Sequence, residues 1–310
     1  MTSTILCCGE ALIDFVPVAS SEGGMSYRPC LGGSVYNVAR ALGRLEVPTR
    51  FLGGISQDFF GDMLVAGLAE SSVGTHLVER SPAPSTFSFV SLNADEPAYA
   101  FYDIEAAERS WTRLPGAADL EDVACLHFGS ISLVREPAAS AYEALLHREA
   151  GAGRLITFDP NIRPSLVRDP DVYRGRIERI LSTADVVKIS AVDLNWLYPR
   201  LDPNEAAERW LANRASLVAV TFGERGVMGR TRRHFLTVGA VPTTVVDTVG
   251  AGDSFMAGLL AGLNDHQLLS RERLAALGEA DLEAALRFGQ RVASATCERR
   301  GADAPRRAAL

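Results

Sequence analysis

Asp247-Thr248-Val249-Gly250-Ala251-Gly252-Asp253-Ser254-Phe255 is the stretch on which the reading of this chain turns. It follows a strand-like run, 243–246, and opens an apolar segment that continues through Met256, Leu259 and Leu260 at helical spacing. Glycines at a helix start let the backbone approach a ligand and leave free N–H groups pointing outward. Those donors and the helix dipole make an anion site suited to a phosphoryl group. Asp253 falls in the first turn, where the dipole favours its ionised form, so it stands ready to accept a hydroxyl proton. Phosphoryl transfer depends mainly on positioning and charge stabilisation, so a modest base beside a strong anion site is workable. Asp also caps or favours helix N-termini for purely structural reasons, and the residues alone leave both roles open. A Rossmann fingerprint is excluded by Phe255 at its sixth position, and no Walker A string exists in the chain.

Outward from this segment, short apolar runs at 5–8, 50–52, 123–128, 155–158, 186–189 and 217–222 alternate with helical segments. Between the first two, residues 34–45 carry Val35, Val38, Ala39 and Leu42 at i, i+3, i+4 and i+7, a helix with one buried face. Near-continuous strands separated by helices predict an α/β fold with a mainly parallel central sheet and helices on both faces. One region departs from this. Residues 86–92 and 98–102 read as a hairpin around 93–97, with Phe87, Phe89, Tyr99 and Phe101 on one parity. It is either an antiparallel edge of the main sheet or a small β lid that closes over a ligand.

The 310 residues are 47% apolar and 22% charged, which is ordinary for a globular protein. A net charge of −7 with no basic stripe argues against nucleic acid and membrane surfaces as partners. Cys7, Cys8, Cys30, Cys125 and Cys297 are odd in number and show no CxxC spacing, so no disulfide framework or zinc site is suggested. The start of the chain has no basic region or cleavage site, and the longest apolar tract, 255–263, is too short for a bilayer. A cytoplasmic setting is the expectation.

DTVGAGDSFMAG at 247–258 and GGSVYNVARALGRL at 32–45 resemble the two signatures of the PfkB, or ribokinase-like, family of carbohydrate kinases. The resemblance spans essentially the whole chain. It implies one ribokinase-like α/β domain over 1–310, with a lid formed by parts of 15–31 and 85–106. It further implies Asp253 as catalytic base, with the amides around Gly250, Ala251 and Gly252 as anion hole. Asp14 in GEALIDF would bind sugar hydroxyls, a task suited to a carboxylate that rejects apolar analogues. Gly32 and Gly33 would admit the sugar, Ser34 would cap the helix, and Asn37, on the side away from the apolar stripe, would bind substrate. Phe101 would cover the sugar from the lid. Arg163 in DPNIR, 159–163, would reach substrate or phosphate from the end of a strand.

On the nucleotide side the resemblance implies ATP contacts from Lys188, from Thr221, Gly223 and Gly226 of TFGERG, and from Ala293, Cys297 and Gly301 around adenine. Mg²⁺ would be held largely by phosphates and water, so no protein metal cage is expected. Some members also use a monovalent cation, K⁺, near the position of Asp247. Two departures stand out. Ser190-Ala191-Val192-Asp193 replaces the common N-x-x-E, leaving Asp193 to support Mg²⁺ through water. Asp103 follows the lid aromatics and disfavours an acidic sugar if it faces the pocket. GEALIDF, Ser34, FGSIS at 128–132 and DPNIR are most similar to bacterial fructokinases, implying phosphorylation of fructose at its 6-hydroxyl. The alternatives are a 2-keto-3-deoxygluconate kinase, another PfkB sugar or nucleoside kinase, or a non-catalytic sugar-binding protein. A homodimer formed through the lid edge is a further expectation from relatives.

Overall fold

A computed structural model of the chain describes residues 4–19, 24–91 and 98–310. Thirteen strands are described: β1 (Thr4–Cys8), β2 (Leu12–Ala19), β3 (Met25–Gly32), β4 (Thr49–Ser56), β5 (Val73–Ser81), β6 (Thr86–Ser91), β7 (Ala98–Tyr102), β8 (Val123–Gly129), β9 (Leu155–Asp159), β10 (Val186–Ser190), β11 (Leu217–Thr221), β12 (Val227–Arg230) and β13 (Phe235–Val238). The helices are α1 (Ser34–Arg44), α2 (Phe59–Glu70), α3 (Ala138–Gly151), α4 (Pro170–Leu181), α5 (Ala191–Leu197), α6 (Pro203–Ala212), α7 (Ala251–Asp265), α8 (Arg271–Ala275) and α9 (Glu279–Cys297). Nine strands form the main sheet in the order β13-β12-β11-β10-β9-β8-β1-β4-β5. Its pairings are parallel except where β12 meets β11 and β13.

Period-two alternation explains how this sheet is covered. Ile5 and Cys7 of β1 enter one core, whereas Leu6 and Cys8 enter the other. Leu217 and Ala219 of β11 are split from Val218 and Val220 in the same way. The first core is closed by α1, α2, α7, α8 and α9, the second by α3, α4, α5 and α6. Both faces are therefore apolar, as the sequence pattern requires of a parallel sheet.

Helices α7 and α9 pack closely enough that only glycine fits at the crossing. A Cβ on Gly258 would lie 2.8 Å from the Gly289 Cα and 3.1 Å from the Phe288 carbonyl oxygen. Backbone cannot retreat as a side-chain tip can. Gly258→Ala, which elsewhere in a helix gains up to about 1 kcal/mol, is therefore expected to destabilise by about 1–3 kcal/mol. The urea midpoint measures it; an unchanged or higher midpoint would mean the two helices separate freely.

The hairpin region is not an edge of the main sheet. β2, β3, β6 and β7 form a second, four-stranded sheet in the order β3-β2-β6-β7. Its register adds what parity within each strand leaves open. Phe87 faces Tyr102 and Phe89 faces Ala100, whereas Phe101 faces Ser88. Parity within each strand thus sends Phe87 and Phe89 to one face and Phe101 to the other. The first face stacks Phe15 on Phe89 at 4.7 Å between centroids and adds Tyr27 and Tyr102. The hairpin turn, 93–97, and the side chain of Tyr99 lie outside the described residues.

The run at 243–246 is not a strand, despite its β-branched composition. It is largely exposed, and the Val246 and Asp247 N–H groups donate to the Cys297 carbonyl at 2.8 and 3.1 Å. The chain here runs along the end of α9, whose Cys297 carbonyl takes both N–H groups, instead of joining the sheet. Among the described residues, no helix is long and apolar enough to cross a membrane.

Candidate active site

A cavity of about 900 Å³ opens where the small sheet, the start of α1, the end of β9 and the start of α7 converge. Asp14 and Phe101 line it from the small sheet, Gly33, Ser34 and Asn37 from α1, Asn161 and Arg163 from the segment after β9, and Gly250, Gly252 and Asp253 from α7. The sequence thus brings together residues more than two hundred positions apart. Ala251, Gly32, Lys188, Asp193, Thr221, Gly223, Gly226 and Cys297 are not among its walls.

Helix α7 begins as the glycines demand. Gly250, its N-cap, has φ 76°, the left-handed region that glycine enters without cost, and an added Cβ would strike Ala302 at 2.5 Å. Among the described residues, the N–H groups of Gly252 and Asp253 have no backbone acceptor. Orphan donors at a helix N-terminus suit a phosphate oxygen.

Asp253 is 6% exposed and fully engaged. Ser34 Oγ donates to its Oδ1 at 2.6 Å, Asn37 Nδ2 to its Oδ2 at 2.9 Å, and Asn161 Nδ2 to Oδ1 at 3.3 Å. Burial pushes the carboxyl above the ordinary range, while the Ser34 and Asn37 hydrogen bonds pull it back down. The helix dipole favours the ionised form and burial opposes it, so the base stays closer to the pH at which it works than an exposed Asp would.

Ser34 needs correction, whereas Asn37 gains a partner. Asn37 does point away from the aliphatic stripe, but it is 9% exposed and holds Asp253, with its Oδ1 left without a partner beside the cavity. Ser34 is the first residue of α1, not its cap; Gly33 holds that position with φ 103° and offers no side chain. A Cβ on Gly33 would meet the Glu10 carbonyl at 2.9 Å, so glycine is needed for that close crossing. Gly32 serves Asp14: its Cβ would lie 2.1 Å from Asp14 Oδ2. Burial raises the Asp14 carboxyl, opposed by the hydrogen bond from Ser88 Oγ and by the charge of Arg163.

Asn161 and Asp159 are the site residues that sequence reasoning passed over, although DPNIR contains both. Asn161 adopts φ 35°, on the left-handed side of the map that Asn tolerates best after glycine, and this turns its amide toward Asp253. Arg163 Nη1 donates to Asn161 Oδ1 at 2.7 Å and so braces it. Asp159, 1% exposed, pairs with Lys188 Nζ at 2.7 Å. Lys188 is buried and does not reach the cavity; a Cβ on Gly252 would lie 3.0 Å from its Nζ, directly behind the helix turn.

Asp193 Oδ1 accepts the Ile162 N–H at 3.1 Å, and burial followed by the Asp159 charge pushes its carboxyl up. No group of three or more His, Cys, Asp and Glu able to hold a metal occurs among the described residues. Thr221 ends β11 next to Ser190, and Gly223 and Gly226 follow with φ 62° and 95°. Asp103 pairs with Arg135 at 2.9 Å and is absent from the cavity wall, so its expected effect on acidic sugars lapses. Arg28 and Arg300, neither anticipated, join Arg163 in lining the cavity.

Comparison with known proteins agrees with this geometry. The description "pfkB family carbohydrate kinase" matches residues 2–309. A fructokinase of Rhizobium leguminosarum bv. trifolii is 44% identical over 277 residues, covering 89% of this chain and 84% of that one. The crystal structure of fructokinase with bound ATP from Xylella fastidiosa superposes with a TM-score of 0.90 at 30% identity, over 97% of this chain and 94% of that one. A fructokinase from Vibrio cholerae O395, solved in a fructose, ADP and calcium ion bound form, gives 0.80 at 25% identity, over 97% and 94%.

Proposed function

The chain belongs to the pfkB family of carbohydrate kinases and is an ATP-dependent sugar kinase, and we propose that its acceptor is the 6-hydroxyl of fructose. The observation that carries this reading is Asp253, held by three donors where the sugar cavity meets the orphan amides of α7. The hydroxyl oxygen attacks the γ-phosphorus, the bond to the ADP oxygen breaks, and the hydroxyl proton passes to Asp253. Asp14, held by Ser88, orients the sugar through its other hydroxyls, and Asn37 Oδ1 offers a further acceptor. The N–H groups of Gly252 and Asp253 take the charge on the transferring group. Mg²⁺ brought in with the nucleotide would neutralise phosphate charge, and Asp193, near Lys188 and Asp159, would support it through a water.

The proposal extends to a nucleotide site around Lys188, Thr221, Gly223, Gly226 and Cys297, and to K⁺ beside Asp247. The Asp247 carboxylate accepts the Val249 and Gly301 N–H groups and so ties the anion turn to the C-terminal segment. It also takes 1–310 as one domain whose small sheet acts as a lid, in a cytoplasmic enzyme. Exposed Met25, Tyr27 and Tyr102 on that sheet support a dimer formed through it. A second reading, an acidic sugar such as 2-keto-3-deoxygluconate, is favoured by Arg28 and Arg300 in the cavity wall.

ADP release from Mg-ATP with fructose, 2-keto-3-deoxygluconate, ribose, tagatose and a nucleoside separates these readings. Fructose is expected to turn over fastest, and a faster acidic sugar would replace it. Asp14→Ala should lower kcat/KM for the sugar by about 10²-fold with little change in the KM for ATP. An equal loss on both substrates would remove Asp14 from the sugar site.

A further inference from the structure

Glu10 is fully buried, carries no chemistry in the mechanism above, and meets three donors. Its Oε1 accepts the Ser34 N–H at 2.7 Å and the Val35 N–H at 3.3 Å, and its Oε2 accepts Ser132 Oγ at 2.8 Å. Ser132 Oγ, in the turn that follows β8, also lies 2.6 Å from the Gly129 carbonyl, so its one hydroxyl hydrogen is shared between that carbonyl and Glu10. One carboxylate therefore joins the β1–β2 connection, the β8 turn and the first turn of α1.

The N-terminus of α1 needs such a partner. Its cap is Gly33, which has no side chain, and its own first turn contains no acid. The first N–H groups of a helix have no intrahelical acceptor, and leaving them unpaired in a buried site is costly. An external carboxylate satisfies them and suits the positive end of the dipole. The same turn carries Ser34, which donates to Asp253 Oδ1, and Asn37, which donates to Oδ2. Where α1 begins thus decides where two of the three hydrogen bonds on Asp253 originate.

We propose that Glu10 is a positioning residue for phosphoryl transfer: by capping α1 from outside the helix it sets Ser34 and Asn37 against Asp253. This rests on Asp253 being the base. A displaced α1 turn leaves the nucleotide contacts untouched and loosens the carboxylate that must meet the sugar hydroxyl. Misplacement of a catalytic group by an ångström costs on the order of 10²-fold in rate.

The experiment is a double-mutant cycle on kcat with Glu10→Ala and Ser34→Ala, beside Asp253→Asn. Glu10→Ala is expected to lower kcat by about 10²-fold while the KM for ATP moves no more than about 3-fold. Glu10→Gln keeps an acceptor for the two amides and should recover most of that loss, to within about 10-fold of the parent. The double variant should be barely slower than Glu10→Ala alone, because both changes release the same carboxylate. Should Glu10→Ala not fold, the cycle is run with Glu10→Gln, whose smaller loss must still be non-additive with Ser34→Ala. Additive losses, or an unchanged kcat on removing Glu10, overturn the inference. Full activity of Asp253→Asn instead overturns the base assignment itself, so the two failures are distinguishable.

Discussion

Asp253→Asn is expected to lower kcat by about 10³-fold or more while the KM for ATP changes little. The amide keeps an oxygen for Ser34 and Asn161 but loses the lone pair that takes the hydroxyl proton. The parent enzyme should show the matching pH signature. Burial raises the Asp253 carboxyl, so the protonated, inactive form persists above the ordinary carboxylate range, and the acid limb of kcat/KM should lie above pH about 4. The sign for stability is opposite. A carboxyl raised in the folded state favours folding only while protonated, so its ionisation costs stability as pH rises through the unfolded value and on past the folded one. Removing that charge at neutral pH should leave the melting temperature of Asp253→Asn equal to or above the parent's. An inactive variant with a lowered melting temperature would point to a structural role, and a near-normal kcat would end the base assignment.

The same burial explains what the sequence could and could not reveal. Near-continuous apolar runs marked six strands of the main sheet because both faces of that sheet are apolar and local pattern reports burial directly. Gly250 and Gly252 were legible because a helix that opens on glycines has few structural reasons to do so. Residues 243–246 misled for the converse reason: β-branched composition records a propensity, while here the end of α9 supplies the acceptor that a sheet partner would. Which faces of the small sheet the lid aromatics share was not legible, since Phe101 against Ser88 depends on a turn that within-strand parity cannot fix. The partners of Ser34, Asn161 and Glu10 escaped notice because each acts across long sequence separations: Ser34 reaches Asp253 over 219 positions and Glu10 reaches Ser132 over 122. No local window contains such pairs. The three donors on Asp253 come from packing α1 and the segment after β9 against the start of α7, and only the fold supplies them.

Lys188→Met is expected to destabilise the protein by about 3–5 kcal/mol, because it leaves the 1%-exposed Asp159 carboxylate without its cation. The alternatives within reach do not compensate. His127 lies on the same face of the sheet, hydrogen-bonded to Thr157, but burial, with the Lys188 charge, pulls its pKa down to about 3 and it stays neutral. Burial also disfavours the Lys188 ammonium, yet the charge and hydrogen bond of Asp159 outweigh it and hold the amine above its ordinary value. A raised amine stabilises the fold fully below its unfolded pKa, about 10.4, and that contribution fades as pH climbs through the folded value. Parent stability should therefore fall on the alkaline side, and this component should be missing from Lys188→Met. Replacing both partners, as Lys188→Met with Asp159→Leu, removes the orphaned charge and should return much of the lost stability, since apolar substitutes for a buried pair are often neutral. Activity should not return with it. The ammonium sits behind Gly252, where its field adds to the N–H groups of α7, and an apolar pair supplies no charge to the transferring phosphoryl group. Urea midpoints and kcat measured on the single and double variants separate the two roles. Recovery of stability without kcat identifies Lys188 as part of the anion site, whereas recovery of both reduces the pair to a structural device.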